Sequence, residues 1–323
     1  MLKKKIIFLI GPTGVGKSAT AISLAKKLNA EIISCDSMQV YRGLDIITSK
    51  ATLAQRKEVK HHLLSVINPN CEYNVAKYRK QAVLICSKLF NQGKIPLFVG
   101  GTGLYYSIIV DGLFPNVPQD KKVRAKLYKL LDVKGSLFLH QRLAKVDYVS
   151  SLRIHAHDAK RIIRALEVFM LTGKPISYLQ GQRLGLGPVY DVRVFGLNID
   201  REALYLKIDQ RVDKMFKLGL ISEVRKLLKR KLSRTASCAI GIPELRGYFS
   251  QEYPLGEAKR LIKRNSRHYA KRQLTWFKRD KRIQWIKINK KETLKKVAIR
   301  IYKFLVKKSS NFPPQKLCQN SLR

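Results

Sequence analysis

A glycine-rich loop near the start of the chain has the residue types needed to bind a polyphosphate. Residues 11–18 read GPTGVGKS and match the phosphate-binding pattern G-x-x-x-x-G-K-S/T. Glycines let the backbone approach phosphate oxygens, and the first amides of a following helix favour an anion. Lys17 would reach a phosphate oxygen, and Ser18 would ligate Mg²⁺. The predicted phosphate-binding residues are Gly11, Pro12, Thr13, Gly14, Val15, Gly16, Lys17 and Ser18.

A carboxylate follows the second apolar run of the chain. Asp36 comes after residues 31–34, whose sequence EIIS predicts a strand. At a strand end that faces a phosphate loop, a carboxylate can accept a proton from a nucleophile or hold Mg²⁺-bound water. An aspartate at this place is equally typical of a helix N-cap. The residues alone leave both interpretations open.

Two further motifs could carry chemistry, although each has a simpler explanation. Residues 100–105 read GGTGLY, so the Thr102 hydroxyl could bond to a substrate. A plain strand-to-helix turn explains the same glycines and is favoured. His61 and His62 are adjacent and point in different directions on a helix or a strand, which argues against a shared metal ion. A structural or phosphate-contacting role is favoured for them.

Basic residues dominate the charge of the chain. The 323 residues carry a formal net charge of +43, which favours a polyanionic partner, nucleic acid before others. In the amphipathic segment 160–168, Arg161 and Arg164 lie one turn apart and can meet the same phosphate strand. A solvated helix face is the alternative interpretation for this segment.

A second basic segment, residues 267–279, interleaves cationic, amide and aromatic side chains. This pattern favours phosphate contact for the basic residues and base-edge contact for Gln273. Trp276 and Phe277 could stack on an unpaired base, but aromatic residues on a helix are more often core anchors. The core interpretation is favoured for both.

The elements that position these residues alternate along the chain. Four apolar runs predict buried strands of a parallel sheet, and these are residues 5–10, 31–34, 95–99 and 192–197. Helical spacing predicts helices at residues 19–28, 75–91, 201–230 and 257–279. The sequence therefore predicts an α/β fold, a nucleotide-binding type of core whose strand ends converge on the glycine loop.

The chain changes in character after its third predicted strand. Residues 119–184 are basic and helical without a clear strand, which predicts an inserted helical subdomain. The end of the chain is rich in Lys, Ser, Asn and Pro and is predicted to be disordered. The predicted domains are 1–118 for the first part of the core, 119–184 for the insertion, 185–305 for the core continuation with its basic helices, and 306–323 for the tail.

Cysteine usage and hydropathy indicate the compartment. Five cysteines form an odd number without paired spacing, which is typical of reduced thiols in a cytosolic protein. The sequence shows no signal peptide, and no apolar stretch approaches the roughly 20 residues needed to span a bilayer. We therefore expect a cytoplasmic protein that does not use a membrane.

Taken together, these segments closely resemble the family of tRNA dimethylallyltransferases, also called tRNA isopentenyltransferases. The phosphate loop is the most specific single piece, and the ordered set of motifs is more specific than any one of them. The matching segments follow the family order, and they are residues 11–18, 36–43, 61–63, 100–105, 161–168, 209–215, 219–221 and 269–277.

The resemblance implies a P-loop-like parallel-sheet core with an inserted, all-helical tRNA-binding subdomain. It also implies an activity, the transfer of a dimethylallyl group from dimethylallyl diphosphate to N6 of the adenosine 3′ of a tRNA anticodon. Lys17 and Arg211 would then neutralise the departing diphosphate, and Ser18 would carry Mg²⁺. Asp36 would take the proton of the N6 amine, with Thr102 beside that amine.

The partners implied by the resemblance are the anticodon stem-loop of tRNA and dimethylallyl diphosphate, and a monomer is expected. The helical insertion would clamp one side of the anticodon loop, and the second basic segment would hold the other. The tRNA-binding residues implied in this way are Asp36, Ser37, Met38, Gln39, Thr102, Arg124, Lys160, Arg161, Ile162, Ile163, Arg164, Lys271, Arg272 and Gln273.

Three segments depart from the family pattern. Residues 47–51 read ITSKA where the family usually has GTAKP, and a β-branched residue in place of glycine changes the allowed backbone of this loop. Pro243 stands in a segment that usually reads GYKE, and proline removes one backbone donor. Residues 153–158 lack the usual Pro-Asn pair.

Other function classes share parts of this pattern. A nucleoside-kinase type of phosphotransferase would use the same loop with ATP but would not need the basic insertion. A nucleic-acid-dependent NTPase would need an acidic box at a strand end coupled to a nucleotide switch, which the sequence does not show. A non-catalytic RNA-binding protein would leave Asp36 and Thr102 without a role.

Overall fold

The computed structural model describes residues 3–114, 117–289 and 292–307. Six strands in these ranges are β1 Lys5–Ile10, β2 Ala30–Cys35, β3 His61–His62, β4 Ile95–Gly100, β5 Asp191–Asn198 and β6 Gln284–Lys287. They form one sheet in the order β3-β2-β4-β1-β5-β6, and every neighbouring pair is parallel. The predicted α/β fold with a parallel-sheet core is confirmed.

The helices connect the strands and extend beyond the sheet. Within the described ranges they are α1 Lys17–Leu28, α2 Leu53–Glu58, α3 Val75–Asn91, α4 Gly103–Val110, α5 Lys121–Val146, α6 Tyr148–Arg153, α7 Ala159–Thr172, α8 Ile176–Gly181, α9 Arg201–Lys217, α10 Leu220–Leu228, α11 Ile242–Phe249, α12 Leu255–Phe277 and α13 Leu294–Lys307, with a short 3₁₀ turn at Ala236–Cys238.

The central strand β1 is apolar because both of its faces are covered. Residues 6–10 are buried, and Leu9 lies between Val99 of β4 and Phe195 of β5. Side chains of α1, α9 and α13 complete the core on one face of the sheet, among them Leu24, Ile208, Val297 and Ile301. Because parallel strands end at the same edge, the loops after β1, β2 and β4 meet there.

Two strands and one helix break were not predicted. The strands β3 and β6 contain only two and four residues and lie at the two edges of the sheet. The predicted helix over residues 201–230 is wrong, because the structure has two helices, α9 and α10. Gly219 between them has a φ of 96°, a left-handed conformation that glycine adopts without steric cost.

The described residues between 108 and 189 form a second compact unit, and the described residues before and after them form the first. We call them the helical unit and the sheet unit. The sequence-based limits 119 and 184 lie inside the helical unit, whose described residues contain helices and no strand. Its apolar core includes Leu127, Leu139, Leu143, Ile162 and Leu166.

The end of the chain only partly falls within the described residues. Residues 306 and 307 belong to α13, so the predicted disorder does not begin at 306. Residues 308–323 of the predicted tail lie outside the described residues. Among the helices that the structure describes, none is both long and apolar enough to cross a membrane.

Candidate active site

The glycine loop connects β1 to α1 and folds around the Lys17 side chain. Lys17 Nζ donates hydrogen bonds to the carbonyl oxygens of Gly11, at 2.9 Å, and Pro12, at 2.7 Å. The pKa of Lys17 is lowered to about 7, chiefly by burial and also by the nearby Arg211, while Asp36 opposes the change. A half-buried ammonium with a depressed pKa is typical of a site that takes an anionic ligand.

A second cation reaches the same loop from α9. Arg211 donates from Nη1 to the hydroxyl of Thr13, a residue 198 positions earlier in the chain. It also donates from Nε to Ser49 Oγ at 2.9 Å and from Nη2 to the Thr48 carbonyl at 3.3 Å. Burial lowers the pKa of the guanidinium, and the charge of Asp36 acts in the opposite direction. The structure therefore places two desolvated cations beside the predicted diphosphate position.

The loop that carries Thr48 and Ser49 is the segment that departs from the family pattern. The carboxylate of Glu223 accepts three successive backbone N–H groups in it, and Ile47 at the usual glycine position donates one of them at 2.9 Å. Lys50 is buried and donates to Asp45 Oδ1 at 2.9 Å. The β-branched residue is accommodated, and this loop presents two acceptors to Arg211.

Asp36 and Thr102 meet where β2 and β4 end. Asp36 Oδ1 accepts the backbone N–H of Met38 at 2.9 Å, and Thr102 Oγ1 accepts that of Ser37 at 3.0 Å. The backbone N–H of Thr102 donates to the Cys35 carbonyl at 3.1 Å. The segment after Asp36 is a turn and not a helix, so the helix N-cap interpretation is wrong. The turn therefore holds the Asp36 carboxylate and the Thr102 hydroxyl through backbone N–H groups of two adjacent residues.

Four ionisable groups from distant parts of the chain come together here. The charge of Asp36 influences the pKa values of Lys17, Arg211 and Tyr269. Burial raises the pKa of the Tyr269 phenol, and Asp36 raises it further. The Thr102 and Gln273 side chains interact with the phenol and act in the opposite direction on its pKa. The predicted catalytic residues Asp36, Thr102 and Arg211 therefore share one site with the phosphate loop.

Tyr269 was not singled out from the sequence, where it is one aromatic residue in a basic helix. Its helical spacing from Gln273, four residues later, puts both side chains on one face of α12. Ion pairs hold α12 against α9, with Arg267 on Asp209 at 2.6 Å and Lys263 on Asp213 at 2.8 Å. The i, i+4 spacing of Tyr269 and Gln273 was visible in the sequence, but only the fold shows that this face of α12 is turned to the site.

The second glycine loop is shaped by α12. A Cβ on Gly101 would overlap the Gln273 side-chain nitrogen, and a Cβ on Gly103 would overlap the Trp276 ring. Gln273 is only 6% exposed and both ends of its amide are bonded to the backbone, so in this structure the side chain is not available for the predicted contact with a base edge. The core prediction is confirmed for Phe277, which is fully buried, but Trp276 is 36% exposed. These glycines make room for side chains of a helix.

The predicted tRNA-binding residues of α7 divide into buried and exposed groups. Ile162 and Ile163 are buried in the core of the helical unit, so in this structure their side chains are not available to an RNA. Arg164 donates to Glu167 and to the Val117 carbonyl, both at 2.7 Å. By contrast, the Arg161 side chain is 71% exposed, and Lys160 is exposed too.

Arg124 joins Arg164 on the same buried acid. Its Nε and Nη2 bind the two carboxylate oxygens of Glu167 at 2.9 and 3.1 Å. Burial opposes ionisation of Glu167, but the hydrogen bonds from Arg124 and Arg164 outweigh it and lower the pKa of the carboxyl. Both arginines therefore have a structural contact within the helical unit. The remaining predicted contacts Ser37, Met38 and Gln39 lie in the turn after Asp36, while Lys271 and Arg272 are exposed on α12.

Two sequence features have structural explanations. His62 Nε2 lies 2.6 Å from the carboxylate of the buried Glu31 at the sheet edge, which fits the favoured structural role. Pro243 lies in the first turn of α11, where a backbone N–H has no intrahelical partner. The proline therefore does not weaken this helix.

Comparisons with known proteins agree with the geometry. The family model described as IPP transferase matches residues 39–280, and the isopentenyl transferase model matches residues 4–65. The tRNA dimethylallyltransferase of Carboxydothermus hydrogenoformans is 46% identical over 302 residues, covering 93% of this chain and 97% of the relative. That of Pelotomaculum thermopropionicum is 44% identical, covering 88% and 91%.

Solved structures with a similar fold are enzymes of the same kind. The tRNA isopentenylpyrophosphate transferase of Bacillus halodurans superposes with a TM-score of 0.69 at 36% identity, covering 95% of this chain and 98% of that protein. A eukaryotic dimethylallyltransferase crystallised in the course of acting on tRNA gives 0.75 at 27% identity, covering 97% and 81%. The motifs, the sheet and the family model that spans most of the sequence lead to one conclusion: the chain belongs to the IPP transferase family, the tRNA dimethylallyltransferases.

Proposed function

We propose that this chain transfers a dimethylallyl group from dimethylallyl diphosphate to N6 of the adenosine 3′ of a tRNA anticodon, releasing diphosphate. The observation that carries the proposal is the placement of Asp36 within electrostatic range of both Lys17 and Arg211. One side of the site is cationic and suits a diphosphate. The other side carries a carboxylate and a hydroxyl, which suit an amine.

The cationic side would act on the leaving group. Cleavage of the allylic C–O bond places negative charge on the diphosphate and positive charge on carbon. Lys17 and Arg211 stabilise the growing negative charge, and the loop amides add to this effect. Both cations have lowered pKa values in the chain itself, so a bound diphosphate would stabilise their charged forms.

The opposite side would act on the nucleophile. An adenine N6 amine is a weak nucleophile, so its orientation matters as much as its basicity. Asp36 is held by the turn at Met38 and would accept the proton that the amine loses as the new C–N bond forms. The Thr102 hydroxyl, held by the Ser37 N–H, would hydrogen-bond to the same amine.

Magnesium is part of the proposal. Mg²⁺ is usually bound by few protein oxygens together with water and substrate phosphates, and the exposed Ser18 at the start of α1 fits this donor set. In the part of the chain that the structure describes, no three or more His, Cys, Asp or Glu side chains form a metal cluster. Ser18 would hold the ion, which would neutralise charge on the diphosphate.

The RNA would approach across basic surfaces. A stacked adenine must leave the anticodon loop to reach the site, at a cost of a few kcal/mol. Exposed cations would offset this cost through phosphate contacts, and Lys160, Arg161, Lys271 and Arg272 are the exposed candidates. We further propose a cytoplasmic monomer, and the free thiols of the described cysteines support a reducing compartment.

One reconstitution tests the proposal. The purified chain is incubated with dimethylallyl diphosphate, Mg²⁺ and unmodified tRNA, and the nucleosides are analysed by mass spectrometry. We expect a single adenosine 3′ of the anticodon to gain a dimethylallyl group, and we expect no requirement for ATP. Hydrolysis of ATP in the presence of RNA, without transfer from the prenyl donor, would refute the proposal.

A further inference from the structure

One face of α12 contacts the second glycine loop residue by residue. Tyr269, Gln273 and Trp276 are spaced i, i+4 and i+7, which places them on the same side of a helix. Gln273 donates to the Gly101 carbonyl, the Tyr269 phenol interacts with the Thr102 side chain, and the Trp276 ring packs on Gly103. The helix therefore determines the position of the loop that presents the Thr102 hydroxyl.

Gln273 also reaches the phosphate loop. Among the hydrogen bonds of the described residues, it is the only one of these three side chains that does so. Its Oε1 accepts the backbone N–H of Thr13 at 2.8 Å, and its Nε2 donates to the Gly101 carbonyl at 2.9 Å. These partners are 260 and 172 residues away in sequence. Both polar atoms of the amide have a backbone partner in the protein, and the side chain is buried.

The amide therefore links the two halves of the site. The Thr13 hydroxyl accepts a hydrogen bond from Arg211 Nη1, and Gly101 directly precedes Thr102. We propose, on the basis of the proposed function, that Gln273 is a positioning residue that fixes the distance between the diphosphate site and the amine site. It acts through the two loops and does not contact the RNA.

The size of the effect follows from the geometry of transfer reactions. Reacting atoms must be held within a short distance of attack, and a displacement of about 1 Å can cost on the order of a hundredfold in rate. Loss of the bridge lets the two loops move independently. The loss would therefore reduce kcat and weaken diphosphate binding, while the exposed cations that would bind tRNA stay in place.

The first test replaces the amide by an apolar side chain of similar length, Gln273→Met. We expect kcat at saturating tRNA to fall by about tenfold or more, with weaker binding of inorganic pyrophosphate by calorimetry and a tRNA dissociation constant within about twofold of the wild type. Thr275→Ala, an exposed change on the same helix, is the matched control and should alter none of these. A Gln273→Met protein with impaired tRNA binding and an unchanged kcat would overturn the proposal.

A rescue experiment separates positioning from general damage. In Gly101→Ala the added methyl group overlaps Gln273 Nε2, and its contact with the Gly11 carbonyl oxygen at 3.3 Å is a smaller conflict. We expect this variant to lose activity, and we expect the double variant Gly101→Ala/Gln273→Ala to be no slower than Gln273→Ala alone. Independent, multiplicative losses would overturn the proposal.

Calorimetry of pyrophosphate binding tests the role of Gln273 without requiring the transfer reaction. If the wild-type chain failed to transfer the prenyl group, the proposed function would fail. The calorimetric comparison of wild type, Gln273→Met and Gly101→Ala would still show whether the amide organises the phosphate loop. Equal pyrophosphate affinities in all three proteins would contradict the bridge even if transfer were observed.

Discussion

Charged residues are used differently in the sheet unit and in the helical unit. In the sheet unit, Lys17 and Arg211 are half-buried close to each other, and their partial burial lowers the pKa of each. In the helical unit, Arg124 and Arg164 both bind the buried carboxylate of Glu167. The first arrangement favours an additional anion, whereas the second already has its counter-charge.

This difference separates functional cations from structural ones. Two like charges that share a desolvated position are unfavourable unless a ligand compensates them, so they indicate a binding site. A buried acid that binds two arginines has its own charge compensated inside the protein, and its removal would leave both guanidinium groups without that partner. The sequence contains basic residues in both regions, and only their partners show which role each one has.

The largest expected effect concerns the acid of the sheet unit. Asp36→Ala should reduce transfer by at least about a hundredfold, the lower end for a general base, because no carboxylate would remain at the end of β2. The measurement is single-turnover transfer with saturating tRNA, together with tRNA binding, which should be retained. Asp36→Asn keeps an oxygen for the Met38 N–H and serves as the control for the turn. An unchanged single-turnover rate would exclude Asp36 as the base.

The acid of the helical unit should affect stability instead of chemistry. Glu167→Ala leaves two guanidinium groups without their shared partner, and we expect the free energy of unfolding to fall by about 2 kcal/mol. This is less than the 3–5 kcal/mol of a fully buried pair, because both arginines reach solvent. Urea unfolding measures the change, and Glu257→Ala, which removes a partly exposed acid paired with Arg260, is a control expected to cost much less.

The pH dependence of Glu167 has a defined direction. Its pKa is lowered in the folded chain, so its contribution to stability is present above the unfolded value of about 4.3 and is lost as the pH falls through the folded value. Unfolding curves of wild type and Glu167→Ala should therefore converge in acid. A difference that stays constant down to the lowest pH would contradict the ionic contribution.

The sequence predicted the centre of the sheet unit better than its edges. The strand β1, the glycine loop and Asp36 could be predicted because parallel strands are apolar and their ends converge. The strands β3 and β6 are too short to leave a periodic pattern. Gln273 was assigned to RNA because its helix is basic, whereas its true partners are backbone groups of loops far away in sequence.

A smaller effect should follow from the lowered pKa of Lys17. A bound pyrophosphate favours the charged ammonium, so binding above pH 7 should take up a proton at this residue, and affinity should fall by up to about tenfold per pH unit. Calorimetry at pH 8 in buffers of different ionisation enthalpy measures the uptake. In Lys17→Met, pyrophosphate itself still titrates, but the additional proton taken up by Lys17 should be absent. Identical uptake in both proteins would place the titrating group elsewhere.

The smallest expected effect separates two arginines of α7 that the sequence treats alike. Arg161 is largely exposed, while Arg164 is held by Glu167 and the Val117 carbonyl. If the exposed arginine meets a phosphate, Arg161→Ala should lower the salt dependence of tRNA binding by about one phosphate contact and leave unfolding unchanged. Arg164→Ala should instead lower stability with a smaller change in salt slope, because its guanidinium is already paired with Glu167. If instead Arg164→Ala lowered the salt dependence and Arg161→Ala did not, the contact between Arg164 and Glu167 would have to break when RNA binds. The half-buried Arg164, and not the exposed Arg161, would then be the residue that meets the phosphate.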